Sequence, residues 1–225
     1  MKAAVMLFLD KPLPVLSQLA PGQAPDPLAL ALLRDTLRNL ADVEADVFVF
    51  LEPEQDKEQA RALLNVKGIK LANSLGRNLK VRQRNAFRLV FARGYERALL
   101  LSNAMPDLPG YAVQSALDSL GWKCCCLGPV LGEDGAPDQL YAMGFDFEGY
   151  TTDALDMVDF DRPKVFERLE TLLLFYERKV KVLAPYSPVS SLDAAKELAA
   201  RCAETRFALL PSVRLAGERS TAGPA

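Results

Sequence analysis

The sequence predicts one α/β domain in which helices cover both faces of a mostly parallel sheet. Short apolar runs of strand length alternate with longer segments of helical periodicity along most of the 225 residues. This alternation is typical of strands joined by helical crossovers. Half of the residues are apolar and a quarter are charged, as in an ordinary globular protein large enough to bury a core.

The predicted elements follow one another in a regular order. We predict strands over residues 3–9, 46–51, 69–72, 97–101, 122–127 and 180–183. We predict helices over residues 27–40, 54–64, 78–93, 110–120, 163–178 and 191–203. The first helix has Asp26 as its expected N-cap and Pro27 at its first position. We place the domain at residues 1–205 and interpret 206–225 as a C-terminal extension, with a flexible tail from residue 215.

Composition excludes several classes of function. The chain has no histidine, which removes Ser-His and Cys-His mechanisms and the commonest metal ligand. Three of its four cysteines are consecutive, so a zinc site is not expected. A net charge of −2 gives no general attraction to nucleic acid, and no apolar run reaches the roughly 18 residues of a membrane span. We expect a cytoplasmic protein. The apolar stripe of the predicted helix over residues 163–178 belongs either to the core or to a contact between copies in a homo-oligomer.

Residues 99–110 mark the expected ligand-binding edge of the sheet. An apolar run ends at Ser102 and Asn103, and a turn rich in proline precedes the next helix. Ligands of open α/β sheets bind at the carboxyl ends of the strands. At this position the chain places Asn103 and Ala104, neither of which carries a carboxylate.

Two other segments are candidate anion sites. The loop over residues 10–26 is long for an α/β connection, but it contains none of the familiar phosphate-binding motifs. Residues 77–93 carry six cations and no acid. These cations form either a solvated helix face or an anion site in which Lys80 and Arg82 meet a diphosphate.

Several segments are similar, in matching order, to motifs of one bacterial family. They are VMLF at 5–8, KPLP at 11–14, LRDTL at 33–37, GRNL at 76–79, LLLSNAMPDLP at 99–109 and LGP at 127–129. The chain thereby resembles the DUF2064 proteins, which include arsenosugar-biosynthesis glycosyltransferases. The resemblance covers roughly residues 3–198 and implies the GT-A fold of nucleotide-diphospho-sugar transferases, a three-layer sandwich. It also implies a nucleotide sugar, or another phosphorylated small molecule, as the binding partner.

The chain departs from the family where the family carries its chemistry. Ala104 stands where the resemblance implies a metal-binding Asp. Three other altered motifs read LSQL at 16–19, NLKVR at 78–82 and PVSS at 188–191. The first lacks the family's cations, and each of the other two lacks both of the family's acids. Loss of the metal ligand and the cationic loop should slow sugar transfer on the order of 10³-fold or more. Mg²⁺ or Mn²⁺ would therefore need another carboxylate site.

Six residues remain as site candidates beside these losses. Asp107 either caps the helix that begins near residue 110 or acts in catalysis, and Asp134 either belongs to a solvated loop or supplies an acid. Lys11 and Asn103 join Lys80 and Arg82 as candidate nucleotide or phosphate ligands. The expected function is that of a glycosyltransferase-like protein with weak or lost metal-dependent activity. The alternative is a non-catalytic binding or regulatory protein that keeps the same scaffold.

Overall fold

Seven strands form one sheet at the centre of the molecule, in the order β3-β2-β1-β4-β6-β5-β7. The computed structural model describes residues 1–10, 15, 24–52 and 55–221. The strands are β1 (Ala3–Phe8), β2 (Asp46–Leu51), β3 (Ile69–Asn73), β4 (Arg97–Leu101), β5 (Cys124–Leu131), β6 (Pro137–Asp146) and β7 (Lys179–Val182). The helices are α1 (Pro27–Asn39), α2 (Lys57–Leu64), α3 (Leu79–Ala92), α4 (Gly110–Asp118), α5 (Thr152–Met157), α6 (Val165–Phe175), α7 (Leu192–Cys202) and α8 (Pro211–Thr221).

The pairing of the strands confirms the predicted mostly parallel sheet. Strand β1 pairs in parallel with β2 and β4, and the β2–β3 and β5–β7 pairs are also parallel. Strand β6 runs antiparallel to both β4 and β5. The sequence analysis missed β6, because its first half is polar and exposed or half-buried, without the continuous apolar run of the central strands.

Helices cover both faces of this sheet, which gives the expected three layers. Alternate residues of β1 point to opposite faces, with Val5 and Leu7 on one side and Met6 and Phe8 on the other. The first face packs against α1, α2 and α4. The second packs against α3, α5 and α6. The carboxyl ends of β1 to β4 therefore meet at one edge between the two helical layers.

The C-terminal extension contains a helix that packs against the body of the domain. Val213 and Ala216 of α8 are buried in a third apolar cluster with residues of α1 and α7. The backbone N–H of Ser212 donates to Asp35 Oδ2 at 2.9 Å, and Arg219 pairs with Asp26. The prediction of a flexible tail from residue 215 is thus wrong for residues 215–221, because these residues belong to α8, which packs against α1. The domain boundary at residue 205 stays a prediction. Among the described residues, no helix combines the length and apolarity needed to cross a bilayer.

Candidate functional site

A chain of hydrogen bonds crosses the carboxyl edge from β1 to α3. Gln55 Nε2 donates to Asp10 Oδ2 at 2.5 Å, and Gln55 Oε1 accepts from the backbone N–H of Glu52 at 2.9 Å. Glu52 Oε1 in turn accepts from Arg82 Nη1. Arg82 Nε donates to the backbone carbonyl of Gly76 at 3.2 Å. The chain of contacts connects the ends of β1 and β2 to the loop before α3.

Asp10 is a site residue that the sequence analysis missed. It follows the buried end of β1 and is itself only 5% exposed. Its Oδ1 accepts from the backbone N–H of Val15 at 2.8 Å. An acid directly after a buried strand at the ligand-binding edge is the signal that could have identified it. Lys11, the next residue, lies outside the described part of the chain.

Glycine at position 76 allows the loop to approach the start of α3 closely. Its φ of +149° lies in a region that L side chains rarely adopt. A Cβ atom there would lie 2.8 Å from Val81 Cγ1 and 2.9 Å from the Arg82 backbone nitrogen. Asn78 Oδ1 caps α3 by accepting from the Val81 N–H at 3.0 Å. The loop thus brings Arg82 to the edge of the sheet.

The basic residues of α3 divide between two roles. Arg82 faces the carboxyl edge with its side chain 21% exposed, beside Glu52. Lys80 Nζ instead donates to the backbone carbonyl of Asp156 at 2.9 Å, and Arg84 Nη1 pairs with the Asp156 carboxylate at 2.8 Å. Lys80 and Arg84 therefore connect α3 to α5, whereas Arg82 belongs to the edge network. A phosphate-binding role for Lys80 and Arg82 stays a prediction.

Asn103 holds the end of β4 against the end of β1. Its Nδ2 donates to the backbone carbonyls of Phe8 at 3.0 Å and Leu9 at 2.9 Å, and the residue is 1% exposed. The amide nitrogen therefore serves the backbone of the neighbouring strand. Contact between Asn103 and a nucleotide stays a prediction.

Ala104 lies in an apolar cluster at the position where the resemblance implies a metal ligand. It is 1% exposed and shares the cluster with Leu28 and Leu32 of α1. Its carbonyl accepts from the backbone N–H of Val189 at 2.9 Å. The segment before α7 therefore packs along the end of β4, and the Ala104 methyl group is directed into apolar surroundings.

Asp107 forms a partly buried ion pair. Arg201 of α7 donates from Nε to Oδ2 at 2.7 Å and from Nη2 to Oδ1 at 3.1 Å. The expectation that Asp107 caps α4 is wrong, because that helix begins after Pro109 without a side-chain cap. The pair lies beside Tyr186, where burial and the nearby Asp107 raise the pKa of the phenol. Any catalytic role for Asp107 stays a prediction.

Asp134 lies in the hairpin that joins β5 to β6. It is exposed, and its Oδ1 accepts from the backbone N–H of Ala136 at 3.0 Å. This hydrogen bond shapes the turn, as Asp side chains commonly do in loops. A role as an acid at the site stays a prediction.

The side chains described at this edge do not fit a divalent metal ion. Mg²⁺ and Mn²⁺ prefer carboxylate and water oxygens. Asp10 accepts hydrogen bonds from Gln55 and from the Val15 backbone. Glu52 pairs with Arg82, Asp107 pairs with Arg201, and Ala104 offers no oxygen from its side chain. Within residues 1–10, 15, 24–52 and 55–221, no three His, Cys, Asp or Glu side chains are grouped so that they could hold a metal.

Comparisons with known proteins support the fold and the family resemblance. The chain is similar to a candidate nucleotide-diphospho-sugar transferase from Desulfovibrio desulfuricans G20, with 23% identity, a TM-score of 0.81, and coverage of 98% of this chain and 96% of that one. No curated protein matches the chain.

Two more distant solved structures share the fold. One is 4-diphosphocytidyl-2C-methyl-D-erythritol synthase from Anaerococcus prevotii DSM 20548, at 12% identity and a TM-score of 0.56, covering 85% of this chain and 92% of that one. The other is a cytidylyltransferase from Leptospira borgpetersenii serovar Hardjo-bovis, at 10% identity and a TM-score of 0.52, covering 98% and 94%. At these identities the likeness concerns the fold alone.

A match to a family model comes from the sequence itself. Residues 36–135 match the family described as uncharacterized proteins conserved in bacteria, DUF2064. The matched region spans β2 to β5 and includes Arg82, Asn103 and Ala104. The chain therefore carries a match to DUF2064 over residues 36–135, and its fold is similar to that of a candidate nucleotide-diphospho-sugar transferase.

Proposed function

We propose that this protein binds a nucleotide sugar, or another phosphorylated small molecule, at the carboxyl edge of its sheet. We further propose that it is glycosyltransferase-like, with weak or lost metal-dependent transfer. The observation that carries this proposal is the buried methyl group of Ala104 on a nucleotide-diphospho-sugar transferase fold. The fold supports the ligand class, and the apolar surroundings of Ala104 argue against the usual metal ligand at this position.

Arg82 is the residue best placed to bind the phosphate groups. Its guanidinium lies beside the loop that contains Gly76 and remains partly exposed. A planar guanidinium binds phosphate oxygens through paired hydrogen bonds, and it stabilises a leaving diphosphate without a metal ion. Glu52 would then have to share or release Arg82 when the ligand binds. We expect this exchange to lower the affinity, since the ion pair must be broken first.

A binding or regulatory protein without catalysis is the second candidate. The observation that favours it is that Glu52 and Asp107 are both engaged by arginines. The oxygens of these carboxylates already accept hydrogen bonds from guanidinium groups, so they are not free to meet a substrate hydroxyl. An inverting transferase needs a free carboxylate to accept the proton of the acceptor hydroxyl.

One titration separates these candidates. Calorimetry would measure the binding of UDP-, GDP- and dTDP-sugars with and without Mn²⁺, and product analysis would measure sugar transfer. We expect metal-independent binding that Arg82→Ala weakens at least tenfold. The matched control is Arg61→Ala, since Arg61 forms an exposed surface pair with Glu58. Metal-dependent binding and turnover would contradict the loss of metal chemistry, and no binding of any nucleotide sugar would contradict the transferase-like function.

A further inference from the structure

A cavity of about 460 Å³ opens at the carboxyl ends of β1 and β4, between α3 and α6. Its size falls within the usual range of small-molecule sites, and it far exceeds the voids of a packed core. The walls are mostly apolar. They include Phe8, Leu79, Leu100, Leu140, Met143 and Val165.

Two residues that line this cavity each carry a buried polar atom with no hydrogen-bond partner among the described residues. These atoms are Ser102 Oγ, at the end of β4, and Gln83 Oε1, on α3. Two other polar side chains of the lining are engaged: Gln139 Nε2 donates to the Arg162 carbonyl and Tyr141 Oη to the Ala184 carbonyl, each at 2.9 Å. A buried polar atom without a partner is costly, so Ser102 and Gln83 present an unmet demand for hydrogen bonds.

The chemistry of these two atoms restricts the ligand. An amide oxygen accepts hydrogen bonds only, whereas a serine hydroxyl both donates and accepts. The ligand must therefore bring a hydroxyl or N–H group to Gln83. A carboxylate or a fully ionised phosphate monoester offers only acceptor oxygens. Among the described lining residues it would meet no compensating cation, because none of them is Lys or Arg, and they include the acidic Asp161.

We propose that this cavity binds a neutral, hydroxylated small molecule with an apolar body, held by Ser102 and Gln83. The cavity is chemically distinct from the edge around Arg82, where a phosphate would find its cation. Within the proposed function, on which this assignment rests, the neutral molecule is the partner substrate of the nucleotide sugar. The binding itself requires no nucleotide.

A pair of probes that share one aromatic ring tests this assignment. The first is 4-nitrophenyl β-D-glucopyranoside, which is neutral and hydroxylated, and the second is 4-nitrophenyl phosphate, which is charged. Calorimetry and ligand-observed NMR on the full chain, without nucleotide, would measure both. We expect saturable binding of the glucoside and none of the phosphate. Equal binding of the two probes, or no saturable binding of the glucoside, would overturn the proposal.

Two conservative variants test the assigned residues. We expect Gln83→Met to weaken glucoside binding about tenfold and Ser102→Ala about fivefold, because each removes one hydrogen bond to the ligand. The matched control is Gln59→Met on the exposed face of α2, which should bind as the wild type does. Neither cavity variant should have a lower free energy of unfolding than the wild type, since neither side-chain atom has a hydrogen-bond partner to lose. Unchanged affinity in both variants would refute the roles of Ser102 and Gln83.

The outcome is distinguishable from a failure of the proposed function. If nucleotide sugars do not bind but the glucoside does, the cavity assignment stands as a binding site and the transferase-like function falls. If nucleotide sugars bind through Arg82 but the glucoside does not bind, the proposed function stands and the cavity assignment falls.

Discussion

Arg201 donates hydrogen bonds to both carboxylate oxygens of Asp107, at 2.7 and 3.1 Å, and so connects α7 to the turn that precedes α4. The Asp107 side chain is 9% exposed and that of Arg201 is 31% exposed. Arg201 also donates to the Ser187 carbonyl at 3.2 Å. This geometry indicates a structural role for Asp107, because the ion pair connects α7 to the turn that follows Ala104.

We expect Asp107→Asn to lower the free energy of unfolding by about 2 kcal/mol, because a hydrogen bond between charged groups becomes a weaker neutral one. Urea unfolding would measure the change. The control is Asp193→Asn, whose partner Lys196 lies in an exposed pair and whose loss should cost under about 0.5 kcal/mol. Normal stability of the Asp107 variant, together with lost turnover, would instead favour a catalytic carboxylate.

Ala104→Asp should damage the fold and should fail to create a metal site. A carboxylate placed among Leu28 and Leu32 would be buried without a partner, which costs about 3–5 kcal/mol. Urea unfolding and Mn²⁺ calorimetry would measure both effects. Ala200→Asp on the exposed face of α7 is the control, and it should cost under about 1 kcal/mol. A stable Ala104 variant that binds Mn²⁺ would show that the site tolerates the family's acid.

Asn103→Asp should destabilise the junction between β1 and β4 by about 3 kcal/mol, since it replaces a donor with acceptors that face two carbonyl oxygens. Burial and these carbonyls should raise the pKa of the introduced carboxyl in the folded state. The deficit should therefore grow as the pH rises through that pKa, and unfolding at pH 5 and pH 8 would measure it. The exposed Asn73→Asp serves as the control. An equal deficit at both pH values would argue against this geometry.

Asp46 should contribute to the loss of folding stability in acid. Hydrogen bonds from Lys70 and Tyr95 hold the pKa of its carboxyl below the ordinary value of 3.8. Because the folded-state pKa is lowered, the stabilisation is present above the ordinary value and is lost as the pH falls through the folded value. Asp46→Asn should cost less than about 1 kcal/mol at pH 7, since the pair is more than a third exposed, and almost nothing at pH 2. A deficit that does not shrink in acid would contradict this linkage.

The buried thiols should be unreactive in the folded protein. Burial raises the pKa of Cys125 and of Cys126 to about 12, and that of Cys202 to about 11. Iodoacetamide at pH 8 should therefore modify at most the half-buried Cys124 in the native state. Mass spectrometry should count four modified thiols after unfolding in urea. Rapid native modification of Cys125 or Cys126 would show that this part of the sheet opens.

Local signals in the sequence predicted much of the fold. Asp26 caps α1 as expected, accepting from the Leu28 N–H at 2.8 Å and the Ala29 N–H at 3.0 Å. Cap and helix are adjacent in the chain, so their interaction can be inferred from spacing alone. Strand β6 could not be inferred in this way. It is recognisable as a strand only when β4 and β5 are present on either side of it.

The candidate site likewise has features that the sequence predicted and features that only the structure revealed. Its position at the end of β4 followed from the apolar run before Ser102, and the missing carboxylate at Ala104 was visible directly. The partner of Asp107 was not, because Arg201 lies 94 residues further along the chain. Long side chains reach partners that periodicity does not identify.

The sequence by itself determined the alternation of strands and helices, the family resemblance and the absence of an acid at Ala104. These features depend on residue type and short spacing, which a linear chain displays fully. Only the tertiary structure decided that Arg82 binds Glu52, that α8 packs against α1, and that Ser102 and Gln83 share one cavity. Each of these depends on segments far apart in the chain, which only packing of the whole sheet and its helices brings together.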